Sequence, residues 1–170
     1  LIIDGGDVLQ GSAFDYYLQN KKDSKTISEI MSMCGVDYFT IGNHDFNYGY
    51  DYLKDYITNH SGKCLCANVI DKTSEIPIYD YDIIEIENKK IGIIGVVTDW
   101  INIWEKEENL LNFEITDTFQ AAKSAYEKIK DTDYKICIYH GGFEIDLNTL
   151  EKNNILSLYK ITFFLDKLSS

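Results

Sequence analysis

Three short apolar runs in this chain each end in a glycine-containing loop that carries a side chain able to bind metal. They are residues 1–3, which lead into Asp7; residues 36–41, which lead into Asn43 and His44; and residues 134–139, which lead into His140. Apolar runs closed by glycine and aspartate are typical of buried strands followed by tight loops. The sequence therefore predicts strands whose carboxyl ends present these four polar side chains.

Helical patterns separate the predicted strands. Ser24 precedes apolar residues at helical spacing that stop before Gly35, and Asp117 precedes a similar pattern that reaches Ile129. Serine and aspartate favour the first position of a helix, and glycine favours the position just after its end. A further helical pattern covers residues 50–57. Strands and helices thus alternate along the chain.

The middle of the chain adds further β-rich segments. Residues 63–70 have strand composition, and residues 81–87 and 90–97 flank Asn88 and Lys89 as a plausible hairpin. The hairpin adds an antiparallel element to the alternating pattern. Together these segments predict an α/β fold with mixed sheets in one domain.

The four polar side chains are expected to meet in one cleft. In open α/β sheets, ligands bind outside the carboxyl ends of the strands, so residues far apart in sequence lie close together there. Carboxylate, carboxamide and imidazole groups are suitable ligands for Mn, Mg, Fe, Zn or Ca ions. Two such ions about 3.5–4 Å apart can clamp a phosphoryl group and lower the pKa of bound water. The pattern favours hydrolysis at phosphorus.

The charge of the chain restricts its partners. It carries 28 acidic and 16 basic residues, a net charge of −12, so long nucleic acid is not an expected ligand. No run of about 18 apolar residues is present in the sequence, so no membrane span is predicted. The four cysteines lie in apolar runs and are expected to be reduced, packed thiols.

The three loop motifs resemble those of the calcineurin-like metallophosphoesterases, and within them the bacterial nucleotidases. The matching stretches are Gly6 and Asp7 within residues 4–12, the Gly-Asn-His-Asp of residues 42–45 and the His-Gly-Gly of residues 140–142. The resemblance covers residues 1–146. It implies a layered α/β/β/α sandwich with mixed sheets, here a fragment of an N-terminal catalytic domain that is incomplete at both ends.

The resemblance also implies roles for individual residues. Asp7 would bridge two divalent metal ions, and Asn43 and His140 would ligate one of them. Asn43 would also touch the substrate phosphate, and His44 would be the catalytic histidine. The implied reaction is attack on phosphorus by water that two metal ions activate, with Mn, Zn, Mg, Fe, Co or Ca as the candidate metals.

Nucleotides are the substrates that the resemblance implies. Residues 45–49 and 68–70 are similar to the branch that hydrolyses 2′,3′-cyclic nucleotides and 3′-nucleotides. In the 5′-nucleotidase branch an aspartate usually stands three residues after the catalytic histidine, and Asn47 stands there in this chain. The first branch is therefore favoured, with 5′-nucleotidase as the alternative.

Parts of the family pattern are missing from the chain. The first block, Asp-x-His before Leu1, and the last block, Gly-His-x-His after His140, are absent, and both supply ligands for the other metal. Residues 1–150 are therefore expected to be a partial catalytic domain and residues 151–170 an unassigned tail, without the C-terminal nucleoside-binding domain. The alternative that is not an enzyme is a catalytically inactive fragment that binds metal. The family implies a secreted, periplasmic or cell-surface protein.

Each motif also has a plainer interpretation. Asp7 alone could be a turn residue, and His140 alone could be a hydrogen-bonded core histidine. Their occurrence together at strand ends favours function. His60 is expected at a surface position after a helix and is assigned no function. Gly92 and Gly95 do not form a dinucleotide-binding fingerprint, because its third glycine and following helix are missing.

Overall fold

Nine strands and six α-helices make up residues 1–142, the part of the chain that a computed structural model describes. The strands are β1 (Ile3–Asp4), β2 (Tyr38–Phe39), β3 (Lys63–Leu65), β4 (Val69–Asp71), β5 (Ile78–Tyr79), β6 (Tyr81–Ile86), β7 (Lys89–Val97), β8 (Phe113–Ile115) and β9 (Tyr134–His140). The helices are α1 (Ala13–Lys21), α2 (Lys25–Met33), α3 (Tyr50–Asn59), α4 (Ile101–Trp104), α5 (Glu107–Leu110) and α6 (Thr118–Ile129), and a 3₁₀ helix spans His44–Phe46. The predicted domain boundary at residue 150 and the predicted tail lie outside the described residues.

The strands form parallel and antiparallel sheets, as the sequence predicts. The first sheet has the order β1-β2-β3-β5 and is parallel throughout. The second sheet has the order β6-β7-β9, in which β6 and β7 form the predicted hairpin and β9 runs parallel to β7. Strands β4 and β8 form a separate antiparallel pair. The fold is therefore mixed α/β.

Three apolar clusters arrange these elements in layers. The largest joins α2 and α3 to one face of the first sheet, through residues such as Ile27, Leu53 and Phe39. A second lies between the two sheets and contains Tyr38, Leu65, Ile93 and Ile138. The third packs α6 against the outer face of the second sheet, through Ile94, Val96, Ala122, Ala125 and Ile129. The order is helix, sheet, sheet, helix.

Gly95 allows the two sheets to approach closely. A Cβ atom at this position in β7 would collide with the carbonyl group of Leu65 in β3. The Ala67 N–H also donates to the Gly95 carbonyl oxygen over 2.7 Å. Gly95 is therefore explained by packing between the two sheets, and a Cβ on Gly92 would collide with Ile129 of α6.

Helix ends follow the sequence signals in most places. The Asp117 carboxylate accepts from the Gln120 N–H and caps α6, and Gly35 has a positive φ of 75° just after α2. The Ser24 hydroxyl does not cap α2 and instead donates to the Tyr52 carbonyl oxygen. Helix α1 was not predicted, although the hydroxyl of Ser12 and the carboxylate of Asp15 form a capping box at its start.

Some local predictions were wrong. Residues 63–70 form two strands, β3 and β4, which pair in different sheets, because the chain turns at Asn68. The buried Asn68 carboxamide accepts from the Val97 N–H and donates to the Val97 carbonyl oxygen, so it fixes this turn against the end of β7. Cys64 and Cys66 are buried free thiols as expected, but Cys34 is exposed.

His60 does not lie on the surface. It follows α3 as predicted, but its ring packs 4.3 Å from the Phe39 ring and 5.6 Å from the Tyr56 ring, between centroids. Only 8% of the residue is exposed. Helical periodicity predicts where α3 ends. It cannot predict that the residue after α3 packs against Phe39 of the first sheet. Among residues 1–142, no helix is both long enough and apolar enough to span a membrane.

Candidate metal-binding and catalytic site

Loops after three strands meet at the carboxyl end of the sheets. The Asp7 carboxylate, after β1, lies 3.0 Å from Nε2 of His140, the last residue of β9. Its other oxygen accepts the backbone N–H of His44, after β2, over 2.8 Å. Parallel pairing places the ends of β1 and β2 on one side of the first sheet, and the contacts of His140 with Asp7 and Gly5 bring the end of β9 to the same place. The structure thus brings together residues that are up to 133 positions apart, from Asp7 to His140.

The backbone around Asp7 is shaped to present its carboxylate. Asp7 and Gly6 both have positive φ, at 65° and 87°, and the Gly6 N–H donates to the Asp4 carboxylate. An aspartate tolerates this left-handed conformation better than most side chains do. Across the cleft, a Cβ on Gly42 would collide with the Asp7 carboxyl group. Position 42 therefore needs glycine for the two loops to approach.

Asp45 clamps the two loops together. Its carboxylate accepts from the N–H groups of Gly42, Asp7 and Leu9, at 2.8, 2.9 and 3.0 Å. The residue is 1% exposed, and burial raises its pKa to about 6 against the opposing effect of these three hydrogen bonds. Asp45 was part of the quoted motif but received no role from the sequence. The three N–H groups that it binds come from two separate loops, so its role is evident only in the three-dimensional structure.

The His140 ring is oriented by two contacts. Its Nδ1 lies 2.7 Å from the Gly5 carbonyl oxygen, which only accepts, so Nδ1 carries a proton and donates it there. Nε2 lies 3.0 Å from the Asp7 carboxylate and donates to it when the ring is doubly protonated. Burial lowers the pKa of His140, but the hydrogen bonds to Asp7 and Gly5 outweigh burial, and the pKa lies above its ordinary value.

The Asp7 carboxylate shows the matching shift. Burial raises its pKa, but hydrogen bonds from the His140 ring and from the His44 N–H outweigh burial, and the pKa lies below its ordinary value. Asp7 is therefore held as an anion against a histidine nitrogen.

His44 and Asn43 open the 3₁₀ helix beside Asp7. The His44 side chain is exposed, and its Nδ1 lies 2.9 Å from Oδ1 of Asn47 one turn later. Asn43 is half-buried between Gly42 and His44, and both of these neighbours contact Asp7. Within residues 1–142 there is no group of three or more His, Cys, Asp or Glu side chains arranged to hold a metal ion.

Comparisons with known proteins place this geometry in a family. The crystal structure of a Staphylococcus aureus protein assigned as a 5′-nucleotidase matches with a TM-score of 0.86 and 30% identity, over 98% of this chain and 33% of that chain. The calcineurin-like phosphoesterase YfkN from Bacillus subtilis matches with a TM-score of 0.73 and 29% identity, over 93% of this chain and 53% of that chain. The chain belongs to the calcineurin-like metallophosphoesterases.

Nucleotidases are among its relatives. The 2′,3′-cyclic-nucleotide 2′-phosphodiesterase/3′-nucleotidase of Salmonella typhimurium is 26% identical over 178 residues, which is 95% of this chain and 28% of that protein. The chain therefore spans between a quarter and a third of the length of this relative. A scan against family models found no match.

The donor set of this metallophosphoesterase fits a divalent cation in part. The family uses divalent metals. Asp7 Oδ2 and His140 Nε2 converge within 3.0 Å, and the Nδ1–H of His140 is held by a backbone carbonyl oxygen, as is usual for a metal-ligating histidine. Oxygen and imidazole donors suit Mn, Zn, Fe and similar ions. The described residues thus supply two convergent donors and the neighbouring Asn43.

Proposed function

We propose that this chain supplies part of the catalytic site of a metal-dependent phosphoester hydrolase that acts on nucleotides. The observation that supports this most strongly is the meeting of Asp7, His44 and His140 at the ends of three strands. The relatives named above hydrolyse phosphoester bonds of nucleotides, which agrees with this chemistry. Because the chain covers only part of their length, the activity of the whole protein is itself part of the proposal.

Asp7, Asn43 and His140 are the residues that would hold divalent metal. Divalent cations, when bound, supply positive charge that holds phosphoryl oxygens and lowers the pKa of water. The hydrogen bonds from the His44 N–H and the Gly5 carbonyl oxygen keep Asp7 and His140 in place before any ion arrives. The site is therefore ordered by this chain's own contacts.

His44 is proposed to assist the departing ribose oxygen. Its Nδ1 is engaged by Asn47, so Nε2 is the ring nitrogen that remains to meet a substrate. In the doubly protonated ring, the proton at Nε2 would pass to the leaving oxygen as negative charge develops there, and the proton at Nδ1 would stay with Asn47. The exposure of His44 gives a substrate access to this atom. The adjacent Asn43 carboxamide would donate a hydrogen bond to the phosphate.

The favoured substrates are 2′,3′-cyclic nucleotides and 3′-nucleotides. The Salmonella typhimurium relative bears that activity in its name, and Asn47 stands where the 5′-nucleotidase branch usually has aspartate. A 5′-nucleotidase is the second candidate, because the Staphylococcus aureus structure with a TM-score of 0.86 is assigned that activity.

We expect the 170-residue chain to be inactive by itself. The described residues present donors for about one cation, and hydrolysis by a two-metal clamp needs ligands for both. Residues 1–150 are then a partial catalytic domain, and the complete protein adds the other ligands and a nucleoside-binding domain. A fragment that binds one cation and turns nothing over is the outcome expected for the isolated chain.

The test is release of nitrophenol from bis-p-nitrophenyl phosphate with added Mn²⁺. It compares the 170-residue chain with a version extended at both ends to restore the missing motifs. Activity is expected only in the extended protein, and His44→Ala should lower its kcat by about 10²- to 10⁴-fold. Lys25→Ala, an exposed change in α2, is the matched control and should keep full activity.

Absence of activity in a folded extended protein would refute the catalytic proposal and leave a metal-binding or structural domain. If the extended protein is active, its relative rates on 2′,3′-cyclic AMP and 5′-AMP decide between the two substrate classes. A higher kcat/KM on the cyclic nucleotide supports the favoured one, and a higher value on 5′-AMP replaces it with 5′-nucleotidase.

A further inference from the structure

A chain of hydrogen bonds leads away from His44 to a carboxylate that the sequence motifs do not include. Nδ1 of His44 lies 2.9 Å from Oδ1 of Asn47, and Nδ2 of Asn47 donates to Oε2 of Glu105 over 2.6 Å. Glu105 directly follows α4 and is 58 positions beyond Asn47. Asn47 and Glu105 are both half-buried, so water competes only in part for these contacts.

The carboxylate fixes the direction of the whole chain. A carboxylate only accepts hydrogen bonds, so the Asn47 amide must turn its NH₂ group toward Glu105. Its carbonyl oxygen then faces His44, and that oxygen can only accept. Nδ1 of His44 must therefore carry the proton in this contact. An asparagine without such a partner could turn its amide either way, and the histidine tautomer would be free to follow.

Glu105 is itself held in place. Its Oε1 accepts from the Lys106 N–H over 2.6 Å and from Nδ2 of Asn109 over 2.9 Å. The same Asn109 nitrogen donates to the backbone carbonyl oxygen of Asn47 over 3.2 Å. Asn109 thus joins the two partners at a second point. The carboxylate reaches Asn47 from a fixed position.

We propose that Glu105 is a positioning residue for His44 and acts through Asn47. It holds the proton on Nδ1 of His44, so that Nε2 is the nitrogen that gives up its proton to the leaving oxygen and the Nδ1–H tautomer is the neutral form that remains. The inference rests on the proposed function insofar as His44 assists the leaving group. The arrangement lets a neutral amide orient the imidazole while the negative charge stays one residue further away.

The test reads the tautomers directly in the 170-residue chain. The sequence has three histidines, His44, His60 and His140, so ¹⁵N-histidine labelling gives three ring systems in two-bond ¹H–¹⁵N spectra. Spectra are recorded about two pH units above the ordinary histidine pKa of roughly 6.5, where a free imidazole is neutral. His44 is expected to show protonated Nδ1 and unprotonated Nε2. The reverse pattern would overturn the proposal.

Variants separate Glu105 from its neighbours. Glu105→Gln should convert the His44 signal from one tautomer into an average of both, because a glutamine can either accept from or donate to Asn47. Glu107→Gln makes the same charge change at an exposed neighbour and should leave His44 unchanged. Unmoved His60 and His140 signals show that the fold is intact. An unmoved His44 signal in Glu105→Gln, with that intact fold, would refute the proposal.

Rescue is the second arm of the test. In the double variant Asn47→Asp with Glu105→Gln, the new carboxylate accepts directly from Nδ1 of His44, and the single tautomer should return. Its failure to return would contradict an action through position 47.

In the extended protein, Glu105→Gln should lower kcat by about 10-fold with KM little changed. An effect of this size is typical of residues that orient a site residue from outside the site. The spectra do not depend on turnover, so loss of the proposed function and loss of the positioning contact are distinguishable.

Discussion

Two histidines in this molecule meet opposite surroundings. His140, the last residue of β9, lies between the Asp7 carboxylate and the Gly5 carbonyl oxygen in the site loops, which are the loops that follow β1, β2 and β9. His60, in the corner formed by residues 60–62, packs on the rings of Phe39 and Tyr56. Hydrogen bonds to Asp7 and Gly5 raise the pKa of His140 despite its burial, whereas burial lowers that of His60.

The difference shows how the loops of the candidate site are held compared with a packed corner. In the site loops, polar groups of three segments satisfy one another and leave Asp7, Asn43 and His44 at the cleft. In the His60 corner, Nδ1 accepts from the Gly62 N–H, and the buried Nε2 has no hydrogen-bond partner among residues 1–142. The first region is held by charge and hydrogen bonds, and the second by ring packing.

The largest expected effect concerns the clamp in the site loops. Asp45→Asn replaces one carboxylate oxygen by an NH₂ group that faces backbone N–H donors, and it should lower the free energy of unfolding by about 3 kcal/mol. His60→Gln keeps an acceptor near Gly62 but loses the ring contacts, and it should cost about 1 kcal/mol. Urea unfolding measures both. Equal losses would show that hydrogen bonding does not dominate in the site loops.

A matched pair of glycine substitutions separates site geometry from stability. In Gly42→Ala the new Cβ collides with the Asp7 carboxyl group, and in Gly62→Ala it collides with the Val36 carbonyl oxygen. Both variants should be less stable, but only Gly42→Ala should weaken Zn²⁺ binding, by about 10-fold or 1.4 kcal/mol. Calorimetric titration of both, under conditions where each is folded, checks this. Equal affinities would contradict the placement of the metal at Asp7.

The smallest effect is a dependence of stability on pH that comes from His60. Burial lowers its pKa in the folded state, partly offset by the Asp4 carboxylate, so the unfolded chain binds the proton more readily. Stability should therefore fall as pH drops below roughly 6.5, the ordinary histidine pKa. Unfolding curves between pH 5 and about 7.5 should show a smaller fall for His60→Gln than for the unsubstituted chain. Identical curves would mean that His60 titrates as an exposed residue.

The sequence predicted the parts of the fold that depend on local periodicity. Helices α3 and α6, the β6–β7 hairpin and the strand end at His140 follow from apolar spacing and turn residues. Residues 63–70 look like one strand, because nothing local reports that Asn68 bonds to Val97 in another layer. Helix α1 escaped prediction because three of its large apolar side chains, Phe14, Tyr16 and Tyr17, are exposed and blur its pattern.

The candidate site likewise contains residues that the sequence identifies and residues that it does not. Asp7, Asn43, His44 and His140 were identifiable because each stands in a glycine-containing loop after an apolar run. The residues that hold them were not, because Asp45 looks like an ordinary turn aspartate and Glu105 stands 58 positions from the asparagine that it contacts. Groups that act through space carry no periodic or local signal.

Zn²⁺ titration of the ¹⁵N-histidine-labelled chain tests the central claim that the loops after β1, β2 and β9 form a metal site. The Cys34→Ser variant serves as the background, because Cys34 is the exposed thiol. The Nε2 signal of His140 should shift and saturate, Asp7→Asn should abolish that shift, and the His60 signals should stay in place. A His140 signal that does not change on addition of Zn²⁺, or a shift that is still observed in Asp7→Asn, would contradict the account.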